Sequence, residues 1–445
     1  MTQQKTKKVL AMAVAAAMFA PAASWATIGY FAHGYGTKAK GMGGAGVAFS
    51  QDALAAATNP AGMVLVGSRM DFGLEFFRPD RDAQSNMGPT PNMNTGEWYD
   101  GNGTSSFLIP EFGYNHMIGN DMSVGVSVYG NGGMNTEYSA GIYSSQYDPN
   151  TGALVSEGPG TGVNLEQLFI APTFAMKLNE QHSIGVSLNL AYQRFEATGL
   201  DNFCAFTPGG MPTGPSNMGG CADGTTGLSG QGVDTSTGYG LRIGWVGQLS
   251  DMVTLGATYQ SRTQMSPFSK YDQLFAEQGD FDIPANYAIG IKIQPMASTT
   301  IAFDVQRILY STVKAVANPN NGWSGGVLGA DDGPGFGWSD MTAYKLGVQH
   351  QLDDKLALRA GFVTGDQPIP AGETQFNLIA PAVVQRHLTL GLTWKLASGA
   401  ELSGYYMHAF QETVKGDSPG NPQDPGHANI RMSQDAIGIA YGWDL

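Results

Sequence analysis

Apolar residues alternate with small or polar residues along many segments of the chain. In Ser183–Tyr192, every even position is apolar and every odd position is small or polar. The same alternation recurs in residues 253–259, 287–294, 301–306, 388–395 and 437–443. A period of two residues places successive side chains on opposite faces of a strand, so each segment predicts a strand with one apolar face.

Further features separate a membrane barrel from a soluble two-sheet sandwich, which shows the same alternation. The polar face consists mainly of Gly, Ser, Thr, Asn and Gln, as expected for the wall of a lumen. Very short connections alternate with long ones, which is the arrangement of outer-membrane barrels. Aromatic residues stand near strand ends, where a bilayer interface would hold them: Tyr192, Tyr259, Tyr287, Trp394 and Trp443. These features favour a transmembrane barrel.

The segments can be counted as fourteen strands between Arg69 and Trp443, an even number, as such barrels require. The third of these strands is predicted to run from Met122 to Gly130. The sequence therefore predicts an all-β fold, a 14-stranded antiparallel transmembrane β-barrel formed by residues 68–445. A barrel of this size is too wide for its wall side chains to fill, so its lumen is open or plugged. Residues 27–67 are the predicted N-terminal hatch, or plug.

The start of the chain has the pattern of an export signal. Met1–Lys8 carries three lysines and no acid, Val9–Ala20 is apolar, and Ser24-Trp25-Ala26 offers small residues to signal peptidase. We expect residues 1–26 to be a signal peptide that is removed after Ala26. A membrane anchor is the alternative reading, but the apolar run is short and is interrupted by Pro21.

Charge and cysteine content restrict the partners. Only 13% of the residues are charged and the formal net charge is −14, so no basic surplus exists to bind nucleic acid. In an oxidising compartment Cys204 and Cys221 are expected to form a disulfide that closes an extracellular loop. No metal site is predicted, because this pair has no nearby histidine.

The sequence contains no pattern that predicts an enzyme or a cofactor site. Neither G-x-S-x-G nor H-E-x-x-H occurs, and the seven histidines are scattered. Gly41, Gly43 and Gly46 match G-x-G-x-x-G, but no strand precedes them, so a dinucleotide site is not expected. The acidic stretches Asp331-Asp332 and 277–282 lack EF-hand spacing, and either loop solvation or Ca²⁺ at the lipopolysaccharide level would account for them.

Several motifs occur together along the chain. Near the start are a Gly-rich stretch (residues 41–49), an Ala-rich segment (residues 52–57) and Asn59-Pro60-Ala61-Gly62. Later come Leu358–Phe362, Asp366–Pro370 and Gly404–His408. In this combination the chain resembles the FadL family, the outer-membrane transporters of long-chain fatty acids and other hydrophobic compounds. The resemblance implies a barrel closed by a hatch, capture among extracellular loops, a dry interior site and lateral exit where the third strand kinks inward. The partners would be a fatty acid, an alkane or an aromatic compound, with outer-membrane lipid and lipopolysaccharide around a monomer.

The resemblance also implies site residues. In the hatch, Gly41, Gly43, Gly44 and Gly46 would let the backbone turn tightly and act as hinges. Asn59 and Pro60, followed by Ala61, would form a turn that ends a short Ala-rich helix. The lateral opening would lie at Gly130, Gly132 and Gly133, although an ordinary loop start explains these glycines as well. Lys314 aligns with a lysine that contacts the carboxylate in fatty-acid members; a solvated lysine is the alternative.

The arginine that fatty-acid members carry in the third long loop has no counterpart at the aligned place, near Gly199. Arg194 is the nearest base, which leaves room for a neutral alkane or aromatic substrate. No energy-coupling pentapeptide is evident in residues 27–36, so passive transport is expected. The alternatives are a general aqueous porin, which would show charge pairs along its lumen and no plug, and a structural outer-membrane barrel.

Overall fold

The computed structural model describes residues 28–85, 98–139, 146–147, 154–156, 160–200, 203, 227–320, 326–417 and 428–445. Within these residues, one antiparallel sheet contains fourteen main strands: β1 (Arg69–Ser85), β2 (Phe107–Ile118), β3 (Met122–Tyr138), β4 (Thr161–Lys177), β5 (His182–Thr198), β6 (Asp234–Gln248), β7 (Val253–Gln260), β8 (Asn286–Met296), β9 (Thr299–Ile308), β10 (Met341–Gln351), β11 (Leu356–Gly365), β12 (Arg386–Lys395), β13 (Glu401–Lys415) and β14 (Ala428–Asp444). Short strands at Tyr99–Asp100, Gln146–Tyr147, Leu154–Ser156 and Gln264–Met265 lie in the connections.

The sheet closes on itself because β1 pairs with both β2 and β14. Every other main strand pairs with its two neighbours in sequence. Closure leaves no unpaired edge strand, which a barrel in a bilayer requires. The predicted 14-stranded antiparallel β-barrel is confirmed.

Alternation along each strand separates an outer apolar face from an inner polar one. On β5, Leu188 and Leu190 are 40% and 43% exposed, whereas Asn189 between them is fully buried. Connections at one end of the barrel are short, such as residues 119–121 and 297–298, and those at the other end are long, such as 366–385. The described helices are all short, and none combines the length and apolarity needed to cross a bilayer.

Strand β3 differs from its predicted extent. It continues past Gly130 to Tyr138, with a register shift against β4 between Gly130 and Gly132. Beyond Gly130 the side chains no longer alternate between apolar and polar, but the backbone still pairs with β4 as far as Thr161. The backbone therefore stays in a strand where the sequence pattern ends.

Residues 28–67, called the hatch segment below, fold inside the barrel. They form helix α1 (Thr37–Lys40) and the 3₁₀ helices Ala55–Ala57 and Pro60–Leu65. The Asn59 side chain accepts a hydrogen bond from the backbone N–H of Ala61 and so caps the second 3₁₀ helix. The Asn-Pro turn therefore begins a helix as well as ending one.

Wall glycines allow the hatch segment to approach the strands closely. An ideal Cβ on any of five lumen-facing glycines would overlap hatch atoms: Gly113, Gly185, Gly244, Gly256 and Gly361. At Gly361, for instance, the added carbon would overlap the backbone nitrogen of Gly43. Part of the high glycine content thus serves backbone-to-backbone packing between wall and hatch.

Candidate functional site

A buried ion pair fixes helix α1 of the hatch segment to the wall. The Lys40 Nζ atom lies 2.5 Å from Glu75 Oε2 and 3.5 Å from Glu111 Oε2. Glu111 also accepts hydrogen bonds from the backbone N–H groups of Thr37, at 2.8 Å, and Gly36, at 3.2 Å. Burial alone would lower the pKa of Lys40, but the Glu75 and Glu111 carboxylates outweigh burial and raise it. Lys40 therefore stays charged and paired.

A second ionic group lies on the same side of the lumen. Lys38 Nζ is 2.6 Å from Glu401 Oε2, and the Arg69 guanidinium bridges Glu401, at 3.0 Å, and Asp71, at 2.8 Å. The backbone N–H of Ala53 donates to Asp71, so this group also holds hatch backbone. Breaking such buried pairs would leave uncompensated charges, which makes them strong anchors.

The opposite side of the hatch segment is held through its backbone. The N–H groups of Gly46 and Val47 donate to one oxygen of Asp304, at 2.7 and 3.0 Å. Gly43 and Gly44 have φ angles of 66° and 75°, which favour glycine. Asn59 Nδ2 donates to the carbonyl of Val47 at 2.7 Å. Of the residues named from the sequence, Gly43, Gly46 and Asn59 thus form hydrogen bonds to the wall, at Thr389, Asp304 and the Trp245 carbonyl.

The wall between β2 and β3 is only partly hydrogen-bonded. Their pairing covers Phe112–Ile118 of β2, so residues 107–111 pair with β1 but not with β3. The register shift leaves Asn131 as an extra residue on β3, and its neighbours turn toward the hatch segment. Gly133 N–H donates to the Tyr30 carbonyl at 3.0 Å, and Ala32 N–H donates to the Asn131 carbonyl at 3.1 Å. At this point β3 pairs with the hatch in place of β2.

The gap in strand pairing, residues 107–111 opposite the bent part of β3, is called the wall opening below. A groove of about 510 Å³ with a mixed polar and apolar lining adjoins it; its residues include Leu108, Asn135 and Glu137. Phe112 and Val128, beside the pairing that remains, are 3% and 0% exposed and pack in one apolar cluster. Side chains therefore fill the wall next to the opening.

An apolar pocket lies among the long connections. Its lining is almost entirely carbon: Val163, Phe195, Leu200, Phe203, Leu274, Phe275, Ala315, Leu328, Pro334, Gly335, Phe336, Phe376 and Ile379. The cavity has a volume of about 40 Å³, well below the roughly 150 Å³ of an engineered apolar cavity that binds benzene. A hydrocarbon could enter only if these side chains moved.

The two basic residues suggested for carboxylate binding each form an ion pair. Lys314 Nζ is 2.9 Å from Glu277 Oε1, and this hydrogen bond raises the pKa of Lys314. Arg194 is 3.1 Å from Glu166. Phe195 lines the apolar pocket, and alternation turns Arg194 to the opposite face of β5. Only Lys314, next to Ala315, lies near the pocket.

Comparison with known proteins assigns the chain to a family. The family described as outer membrane protein transport protein (OMPP1/FadL/TodX) matches residues 13–443 of the 445. The chain belongs to this family. No curated protein matches the chain. The FadL-family resemblance and the predicted outer-membrane location are therefore confirmed.

Solved structures of FadL-type proteins share the fold. The P. putida toluene transporter TodX is 17% identical, with a TM-score of 0.67 over 93% of this chain and 99% of that one. The Ralstonia pickettii toluene transporter TbuX is 18% identical, with a TM-score of 0.64 over 93% and 99%. A Pseudomonas aeruginosa FadL homologue is 16% identical, with a TM-score of 0.65 over 94% and 99%. At these identities the likeness concerns the fold.

The acidic loop residues of this FadL-family chain have partners of their own. Asp280 and Asp282 pair with Arg262, and Asp331 accepts a hydrogen bond from Gln278. Within the described part of the chain, no three His, Cys, Asp or Glu side chains are grouped to hold a metal ion. The predicted signal peptide, residues 1–26, and the predicted disulfide between Cys204 and Cys221 lie outside the described residues.

Sequence reasoning missed a polar group inside the lumen, above the hatch segment. Arg242 of β6 is 3% exposed and donates to the Thr58 carbonyl at 3.1 Å and to the Gln260 side chain. Its only signal in the sequence is an arginine at a lumen-facing position of a strand, which does not reveal its neighbours. Tyr129 faces this guanidinium, and Asn189, paired with Gly240 on β6, lies nearby with two buried polar atoms that have no partner.

Proposed function

We propose that the protein is a passive outer-membrane channel for hydrophobic compounds, long-chain fatty acids or hydrocarbons, which leave sideways through the wall opening. The observation that carries the proposal is the unpaired part of β2 beside a β3 segment that pairs with the hatch. A continuous wall would offer no lateral route, and a general porin has no need of one. The protein would act as a monomer surrounded by lipid and lipopolysaccharide.

The apolar pocket supports the capture step, in which its side chains would move apart to admit the solute. Burying one CH₂ group is worth roughly 0.8 kcal/mol, so a chain of about twelve such groups would gain about 10 kcal/mol gross. That affinity would hold the solute in the protein unless the pocket changed. The main cluster of buried apolar side chains includes pocket and hatch residues, among them Phe275 and Tyr30. A movement of the hatch would therefore alter the packing around the bound solute.

Lateral exit follows from the energetics of the solute. The hatch segment, held by its ionic anchors, would close the direct route to the periplasm. Contact with water there would also cost an apolar solute the free energy that it gained by burial. The wall opening offers a path into the bilayer instead. TodX and TbuX are toluene transporters, so a monoaromatic compound is one candidate substrate for the present protein. A long-chain fatty acid is the other, although the ion pair of Lys314 with Glu277 does not favour carboxylate binding there.

Uptake into proteoliposomes tests the proposal. A radiolabelled long-chain fatty acid, an alkane and a monoaromatic compound are compared for the wild type, Ala315→Asp and Lys314→Ala. A charge placed in the apolar pocket by Ala315→Asp should reduce uptake about tenfold or more, since an unpaired buried carboxylate is costly. Lys314→Ala, at the adjacent position, should leave the uptake of neutral compounds unchanged. Leakage of small sugars without uptake of any apolar probe would contradict the proposal and favour a porin.

A further inference from the structure

Two buried histidines, one on the hatch segment and one on the wall, lie side by side inside the lumen. His33 precedes helix α1 and His387 lies on β12, and each is 1% exposed. Their ring centroids are 6.1 Å apart, and the ring planes differ by only 18°. The ring of Tyr405 on β13 packs beside His33, with centroids 6.2 Å apart. The pair is therefore enclosed between hatch and wall.

Three nitrogen atoms of this pair have no hydrogen-bond partner within the described part of the chain. They are Nδ1 of His33 and both ring nitrogens of His387. The remaining nitrogen, His33 Nε2, lies 3.4 Å from the carbonyl oxygen of Lys40. Because a carbonyl oxygen can only accept, Nε2 carries the proton and donates it, which leaves a lone pair on Nδ1. Buried nitrogens without partners are costly and usually mark water or a ligand.

The arrangement of His33 is that of a histidine metal ligand. A metal-binding histidine typically donates its other ring N–H to a backbone carbonyl or a carboxylate, which fixes the tautomer and the ring orientation. His33 makes such a bond to Lys40. An ion held in line between two imidazole nitrogens, at roughly 2 Å from each, would place the ring centres roughly 6 Å apart. The observed separation of 6.1 Å is compatible with one ion between His33 and His387.

The ligands and charges nearby restrict the kind of ion. Zn²⁺ in a structural site takes four ligands, and the described residues group no third His, Cys, Asp or Glu with this pair. Lys40 and Lys345 are the cations that interact with His33, and they repel a divalent ion about twice as strongly as a monovalent one. Met407, diagonal to His387 in the β12–β13 register, is fully buried and adds a thioether, a soft ligand that selects Cu(I).

We propose that His33 and His387 form a binding site for Cu(I), a soft monovalent ion for which two imidazole ligands in line are sufficient. The inference goes beyond the proposed function and does not depend on it, since it concerns an ion and not a hydrophobic solute. The two ligands come from different parts of the molecule, so the bound ion connects the hatch segment directly to β12. Copper then stabilises the docked hatch, as does any ligand that binds one state in preference to another.

Anaerobic titration with Cu(I), with bicinchoninate as the competing chelator, tests the site in purified full-length protein in nanodiscs. Cys204→Ser and Cys221→Ser are present in every sample, so that thiols cannot take the ion. This reference protein should bind one equivalent, and His33→Gln and His387→Gln should bind it at least about tenfold more weakly. His387→Met, which keeps a soft ligand, should bind Cu(I) more tightly than His387→Gln does.

His182→Gln is the matched control. His182 and Trp245 have a similar ring geometry, 5.8 Å and 21°, but the neighbour is an indole, which offers the ion no lone pair. Heat-modifiable gel mobility verifies that each variant is a folded barrel.

Two further readouts report the geometry of the site. X-ray absorption of the copper-loaded protein should show Cu(I) of low coordination number with imidazole nitrogen ligands, and hydrogen exchange of residues 33–40 should slow on loading. Unchanged Cu(I) affinity in folded His33→Gln or His387→Gln would overturn the inference. So would failure of the reference protein to bind Cu(I), a copper ion with sulfur ligands alone, or hydrogen exchange that copper leaves unchanged.

Discussion

Lys40 of the hatch segment and Glu75 of β1 form an ion pair of 2.5 Å in which both side chains are at least 96% buried, with relative exposures of 2% and 4%. The pair connects two segments that are 35 residues apart. Glu75 also accepts a hydrogen bond from the Tyr405 hydroxyl of β13. One buried carboxylate thus joins the hatch to two strands of the wall.

Replacement of Lys40 by Met should weaken hatch docking by about 3–5 kcal/mol, because it leaves Glu75 and Glu111 buried without their cation. Hydrogen exchange of residues 36–47 is the measurement, and protection there should fall while the strands stay protected. Lys314→Met serves as the control, since its pair with Glu277 is exposed and should contribute little. Equal protection in Lys40→Met and the wild type would show that this pair does not anchor the hatch.

The docked hatch should become less stable as the pH rises from about 4 to about 7. Burial, reinforced by the neighbouring Asp71 carboxylate, raises the pKa of Asp52 from 3.8 to about 7. A carboxyl group with a raised pKa binds a proton more tightly in the docked state, so docking is favoured at low pH and loses stability as the pH passes through this range. Lys38 and Arg69 oppose the shift but do not cancel it.

Hydrogen exchange of the hatch between pH 4 and pH 8, corrected for intrinsic rates, measures this dependence. Asp52→Asn keeps the size of the side chain and should flatten the profile. A wild-type hatch that became more protected toward pH 8 would contradict the assignment.

A disulfide between Ala53→Cys and Gly113→Cys should lock the hatch to β2. An ideal Cβ on Gly113 lies 2.8 Å from that of Ala53 and 2.5 Å from the Ala53 carbonyl carbon. The Cβ atoms of bridged cysteines lie about 3.5–4.5 Å apart, so the hatch backbone must move away from β2 for the bridge to form. If hatch movement is part of transport, uptake should stop in the oxidised protein and return after reduction. The single-cysteine variants control for the substitutions, and full uptake through a completely cross-linked protein would exclude hatch movement.

Much of the fold could be predicted from alternation alone. Segments such as Ser183–Tyr192 lie in a wall with lipid on one side, so their side chains follow a strict period of two. β3 beyond Gly130 could not be predicted in this way, because it contacts the hatch on one side and loses that period.

The residues of the candidate site depend on contacts that a sequence does not display. Glu277 and Lys314 meet only because two long connections fold together. The sequence also does not show that Arg242 bonds to neutral groups, because this depends on the structure placing the paired carboxylates of the lumen on other strands. The hatch glycines could be predicted better, since tight turns require glycine whatever their surroundings.

Deletion of Asn131 tests the lateral route most directly. Asn131 is the extra residue of the β3 register shift, so its removal should straighten β3 and let it pair with β2. Asn131→Ala is the matched control, because it removes the side-chain bonds to Tyr35 and Gln167 but keeps the bulge. Uptake of a monoaromatic compound and of a long-chain fatty acid is measured for both variants in proteoliposomes. If solutes leave through the wall opening, the folded deletion variant should lose uptake and Asn131→Ala should retain it, whereas wild-type uptake through the deletion variant would contradict lateral exit.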